Sequence, residues 1–148
     1  MHTVREGGIC LTYKEFEFSE LKKANLCVDA LYKAGTQGNM RDDPLSKLMG
    51  CENQGGFRKI GKRETSEYKF AILYSLLDDP DWPDGLDLEQ GLFLYYGDNK
   101  QPGHELHDTP KGGNELLRFC FDSINQSPPK RDRVPPFFIF TKEQRVET

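Results

Sequence analysis

The chain has 148 residues, 36% hydrophobic and 30% charged, with 24 acidic against 20 basic side chains and a net charge of -4. That is enough for one hydrophobic core and too acidic for a protein that coats nucleic acid by bulk charge. With 10 Phe, 6 Tyr and 1 Trp, it is also too aromatic for a disordered chain.

The opening MHTVREGGICLTYKEF carries no evident signal peptide, and no run approaches the ~20 apolar residues of a membrane span. The expectation is an intracellular protein with no membrane partner. Cys10, Cys27, Cys51 and Cys120 form no CxxC pair, so neither a zinc ribbon nor a redox motif is indicated. They read as reduced thiols, mostly buried.

In chain order, FSELKKAN predicts a short helix capped by Ser19. LCVDALY, residues 26–32, alternates Leu26, Val28, Ala30 and Tyr32 as a half-buried strand would. KAGTQGN is a glycine loop. DDPLSKLMG has Asp43 to cap a helix, Pro44 for its first position and Gly50 to end it. ENQGGFRKIGKRE is glycine-rich and basic, and its ordinary reading is a solvated loop.

YKFAILYSLL, residues 68–77, is an almost unbroken apolar run and predicts a central strand. DDPDWPDGLD, with five aspartates and two prolines, must be a loop, and GLFLYYG is the next strand. NELLRFCFDSI places Leu116, Leu117, Cys120, Phe121 and Ile124 on one helical face. NQSPPKRDRVPP is a loop and FFIFTK a last strand. Strands and helices alternate without a regular βαβ rhythm, so an α+β fold with a compact curved mixed sheet or small barrel fits better than a Rossmann-like sheet.

Several chemistries compete for the polar loops. HELHD offers His104, Glu105, His107 and Asp108 as metal ligands. Pro102, Gly103 and Pro110 preclude helical spacing, however, and the ordinary reading is histidines that hydrogen-bond within a loop. GGFRKIGKR lacks the Ser/Thr of a phosphate-binding P-loop. Ser66 and Ser75 have no nucleophile elbow, and Cys120 lies on an apolar helix face.

The acids of DDPDWPD sit in one loop, whereas a metal-dependent nuclease needs them spread over adjacent strands. Base recognition uses the same residues more fully. Trp82, Tyr95 and Tyr96 adjoin polar loops and offer stacking faces. Asp79, Asp81 or Asp98 can accept from a cytosine amino group. Arg58, Lys59, Lys62 and Arg63 form a basic cluster suited to phosphates, and Lys100 and Lys111 flank the same loop.

DDPLSKLMG, NQGGFR, DPDWPD, YYGDN, HDT and GGNELL occur in this order. Together they resemble the N-terminal recognition domain of AspBHI-type modification-dependent restriction endonucleases, over roughly residues 20–140. The resemblance implies an SRA-like (SET- and RING-associated, PUA-like) curved sheet. Such a domain grips duplex DNA and flips out a modified cytosine, usually 5-methylcytosine.

By this likeness Tyr95 is the tyrosine of a Tyr-x-Gly motif that stacks on the base, and Asp79 or Asp81 accepts from the cytosine N4 amino group. Arg58 and its neighbours lie on the DNA backbone or fill the gap the base leaves. Leu76 or Leu77 stands where the SRA pattern has another tyrosine, and Trp82 is the substitute taken here.

The resulting expectation is a single recognition domain over 1–148, cytoplasmic and bacterial, without cofactor, metal or catalytic residue. The nuclease domain lies C-terminal in the parent protein. The rival is a self-contained metal-dependent nuclease or hydrolase built from the Asp/His loops.

Overall fold

The structure, a computed structural model, describes residues 2–6, 9–52, 55–62, 65, 67–81, 83–96 and 112–142. The backbone divides into two compact units, Met1–Gln54 and Gly55–Thr148.

In the first unit, β1 (His2–Glu6) and β2 (Ile9–Tyr13) pair antiparallel, with Glu6 opposite Ile9. β3 (Glu15–Phe16) pairs parallel with β4 (Leu31–Tyr32). The helix expected from FSELKKAN is a 3-10 helix over Phe18–Lys23. Its cap is Glu17 rather than Ser19: the Glu20 carboxylate accepts from the Glu17 N–H at 3.0 Å. This is the reciprocal half of a capping box.

Residues 26–32 are not a continuous strand. Only Leu31–Tyr32 pairs, Val28 is 95% exposed, and Asp29 turns the chain at φ 61°. Tyr32 holds the loop, its hydroxyl accepting from the Cys27 N–H and donating to the Asn25 carbonyl. Four alternating positions were too few to outweigh that turn.

α1 (Pro44–Met49) forms as its sequence dictates. Asp43 Oδ1 accepts from the Leu45 and Ser46 N–H groups, and Gly50 closes the helix at φ 67°. α1 packs on the first 3-10 helix, with Leu21 and Leu45 buried. The glycine loop before α1 is organised by Asp42, in the 3-10 turn Met40–Asp42, whose carboxylate accepts from the Gln37, Gly38 and Asn39 N–H groups. These bonds, chiefly that from Gln37, hold its pKa below the ordinary value.

The second unit is built on β5 (Phe57–Lys62), β6 (Glu67–Ser75) and β9 (Phe137–Thr141), with β6 central as expected. β5 runs antiparallel and β9 parallel to β6. β7 (Gly85–Asp87) and β8 (Leu92–Leu94) form a separate hairpin. α2 (Gly113–Ile124) precedes β9.

Phe57, Ala71, Leu73, Leu116 and Cys120 form the core, so one face of the sheet packs on α2. Ile72, on the other face, is also fully buried, which explains the unbroken apolar run. Full burial of a side chain such as Leu73 contributes about 1.5–3 kcal/mol.

The expected face of α2 is partly wrong. Leu116 and Cys120 are buried, but Phe121 is 63% and Ile124 39% exposed; Ser123 completes the inward stripe instead. Burial pushes the Cys120 thiol up to about 11. Cys27, Cys51 and Cys120 are free thiols, with Cys51 and Cys120 buried. Among the described residues no helix is long and apolar enough to cross a membrane. The mixed α+β class expected from the sequence holds.

Candidate nucleic-acid interface

β6 ends at Ser75, a polar residue only 4% exposed after a run of apolar ones. Such a hydroxyl needs partners. Ser75 Oγ donates to Asp84 Oδ2 at 2.7 Å and accepts from the Leu77 N–H at 3.1 Å. Leu77 sits at φ 62°, a conformation unfavourable for a γ-branched residue and stabilised here by that bond.

The other oxygen of Asp84, Oδ1, accepts from the Tyr96 N–H at 3.0 Å. One carboxylate therefore ties together the end of β6, the end of the acidic loop and the chain just past β8. Sequence reasoning missed this clamp. Its signals were a serine closing a buried strand and an aspartate between Pro83 and Gly85.

The clamp ties the two ends of the acidic loop that carries Asp79 and Asp81 and holds the Tyr96 backbone. Asp79 is half-buried in the loop, and its Oδ1 accepts from the Asp81 N–H at 3.0 Å. That bond forms an Asx turn, and Asp79 Oδ2 has no partner among the described residues. Asp81 is exposed.

Tyr95 and Tyr96 follow β8 rather than lying within it, because the strand ends at Leu94. They differ in burial. Tyr95 is half-buried, its ring 5.9 Å from Phe57 and 6.2 Å, near-parallel, from Phe93. Tyr96 is 51% exposed. Trp82 and Asp98 lie outside the described residues.

The basic cluster is not a solvated loop. Arg58, Lys59 and Lys62 belong to β5, where alternation sends Arg58 to the face opposite Phe57 and Lys59. Arg58 is 7% exposed, and its Nε donates to the Gly55 carbonyl at 3.0 Å. A guanidinium so buried braces the Gly55–Gly56 turn and presents little surface to DNA. Lys59 is half-buried and Lys62 exposed.

Beyond Ile60 the pairing shifts by one residue at a bulge, with Gly61 at φ 147°. A Cβ at Gly61 would collide with the Glu67 carbonyl and the Tyr68 Cα, so the bulge requires glycine. Arg63, Lys100 and Lys111 lie outside the described residues, as do His104, Glu105, His107 and Asp108. Among the described residues no group of three or more His, Cys, Asp or Glu is placed to hold a metal ion.

The family model for the N-terminal region of restriction endonuclease AspBHI matches residues 26–148. Two solved structures are similar over nearly the whole chain. One is the DNA recognition domain of the cytosine modification-dependent restriction endonuclease LpnPI, 44% identical over 92% of this chain with a TM-score of 0.82. The other is the DNA modification-dependent restriction endonuclease AspBHI, 43% identical over 89% of this chain with a TM-score of 0.79. The chain spans 60% of the length of each. No curated protein matches. At this identity and coverage, the chain belongs to the AspBHI N-terminal family of restriction endonucleases.

Proposed function

We propose that this chain is the specificity module of a modification-dependent restriction endonuclease. It binds duplex DNA carrying a modified cytosine, 5-methylcytosine or a similar base, and leaves cleavage to a C-terminal nuclease domain of the parent protein. The observation that carries this reading is the 44% identity, over 92% of the chain, to a domain described as the DNA recognition domain of a cytosine modification-dependent enzyme. We assign the domain to the SRA-like curved-sheet class, acting as one recognition domain over 1–148 in a bacterial cytoplasm.

The base pocket lies where the acidic loop meets the chain past β8. Asp79 Oδ2 accepts from the cytosine N4 amino group. Tyr95 supplies a stacking ring braced by Phe57 and Phe93, and Tyr96 supplies the exposed neighbour. Asp81, Trp82 and Asp98 complete the wall on the strength of their sequence positions. Lys59, Lys62, Arg63, Lys100 and Lys111 serve the phosphates, and Arg58 supports them from within β5.

The energetics are consistent with base flipping. Extruding a base costs a few kcal/mol, and stacking returns about 1–3 kcal/mol. A buried methyl contributes about 1 kcal/mol, so the pocket alone separates methylated from plain cytosine by roughly five- to tenfold.

A duplex with 2-aminopurine beside the modified cytosine tests the reading. Binding should raise its fluorescence as the neighbouring base leaves the stack, and Asp79→Ala should abolish the rise. Tight binding with no change in fluorescence would refute flipping.

A further inference from the structure

At the end of β6 remote from Ser75, the sheet narrows. β9 pairs only with Ala71–Ser75, so Glu67–Phe70 are bonded to β5 alone. The 3-10 turn Arg131–Arg133, just before β9, lies on that side: the Ala71 N–H donates to the Pro136 carbonyl at 3.0 Å. Between the bulge and this turn is a groove of about 380 Å³, lined by Gly61, Lys62, Glu67, Tyr68, Lys69, Asp132 and Arg133.

Lys62, Lys69 and Arg133 are exposed and form no ion pair with any described residue. Glu67 stands directly opposite Lys62 in the ladder, yet its carboxylate accepts from the Thr65 hydroxyl at 3.0 Å and forms no bridge to the lysine. The Arg133 guanidinium is held 5.1 Å over the Phe119 ring, and Phe119 in turn packs on Tyr68. It is thereby oriented before any ligand arrives. Lys130 and Arg131 add two exposed cations beside the groove.

On a chain of net charge -4, a groove edged by cations without an ion-pair partner among the described residues, one of them stacked in place, suits a phosphodiester backbone. We propose that this groove is a distal phosphate site of the bound duplex, with Lys62, Lys69 and Arg133 its cationic contacts. Tyr68 to Ser75 spans seven residue steps of ~3.3 Å, about 23 Å. With β6 lying along the duplex axis, as the proposal requires, ~3.4 Å per base pair puts those phosphates about seven base pairs from the modified cytosine.

The proposal rests on the reading that the chain binds duplex DNA, and one experiment separates the two. The wild type and a Lys69→Glu/Arg133→Glu variant are titrated with three duplexes: 30 base pairs with a central 5-methylcytosine, the same unmodified, and a modified 10-mer too short to reach the groove. The variant should bind both 30-mers about tenfold more weakly, lower the salt slope by about two, keep its preference for the modified base, and match the wild type on the 10-mer. An unchanged affinity and slope on the 30-mers would overturn the proposal, and an equal loss on the 10-mer would overturn its distal placement. Glu67→Gln/Asp132→Asn, which removes the groove's two carboxylates, should instead tighten binding to the 30-mers; no gain would count against the site even if the charge-reversed variant misfolds. A wild type that binds modified and plain 30-mers equally would sink the base-recognition reading and leave the groove test intact.

Discussion

Replacing Asp84 with alanine removes one carboxylate and two of its hydrogen bonds, from Ser75 Oγ at 2.7 Å and from the Tyr96 N–H at 3.0 Å. The two losses are unequal. Tyr96 is exposed, so water replaces the acceptor at modest cost. Ser75 is buried, and its hydroxyl is left without an acceptor, which costs about 1–3 kcal/mol.

A lost charge-assisted bond adds to this, so Asp84→Ala should destabilise the fold by about 2–4 kcal/mol. Asp84→Asn retains one acceptor and turns an amide N–H₂ toward the other donor, so its cost should be about half. Urea unfolding followed by circular dichroism reads both values. Because the partners touch, Ser75→Ala combined with Asp84→Ala should cost less than the sum of the single changes by at least about 1 kcal/mol. Asp84→Ala within ~0.5 kcal/mol of wild type, or strict additivity with Ser75→Ala, would refute the clamp.

Further expectations concern the same unit and the glycine loop. Tyr95→Ala should destabilise by about 2–3 kcal/mol, since its ring packs on Phe57 and Phe93; Tyr96→Ala, at an exposed position, should cost less than ~1 kcal/mol, and a reversed order would show the two rings misassigned. Gly61→Ala, which drives a methyl into the backbone of the facing strand, should cost about 2 kcal/mol or more; thermal melting that places the variant at the wild-type midpoint would contradict the bulge.

The Cys120 thiol, raised from 9.0 to about 11 by burial, stabilises the fold fully below its unfolded pKa and loses that contribution as pH rises toward the folded one. Stability should therefore fall between pH 9 and 11 in wild type and less so in Cys120→Ala, and identical pH profiles would oppose this. Asp42 has the opposite sign. Its lowered pKa stabilises the 37–39 loop above the ordinary value of 3.8 and ceases to as pH falls through the folded value, so amide protection at Gln37, Gly38 and Asn39 should fade on acidification while that of Ala71 persists.

The sequence was most legible where local chemistry and packing agree. Asp43, Pro44 and Gly50 delimit α1 with three residue types that admit few alternatives. The apolar run that became β6 has one good place, the middle of a sheet covered on both faces. Legibility failed where a long-range contact decided the outcome. LCVDALY alternates like a strand, but Asp29 turns the chain and only Leu31–Tyr32 finds a partner, in Glu15–Phe16.

FRKIGK has the charge of a loop and became a strand because Phe57 enters the core beside Leu73. The β1–β2 hairpin was overlooked, although Gly7–Gly8 between alternating residues is a hairpin signal. β7 was hidden within the acidic loop, and Asp87 accepts from the Gln90 N–H at 3.0 Å where the chain reverses into β8. For the candidate site, residue types marked the acidic loop and the Tyr95–Tyr96 pair. Their junction through Ser75 and Asp84 spans 9 and 12 positions, and no local pattern encodes it.

The most direct test is the affinity ratio for two duplexes that differ only in one 5-methyl group on a central cytosine, measured by fluorescence anisotropy at a fixed salt concentration. The modified duplex should bind about five- to tenfold more tightly, as expected from burial of one methyl group, and Asp79→Ala should bring the ratio close to one. Equal affinity of the wild type for both duplexes would contradict recognition of a modified cytosine by this chain.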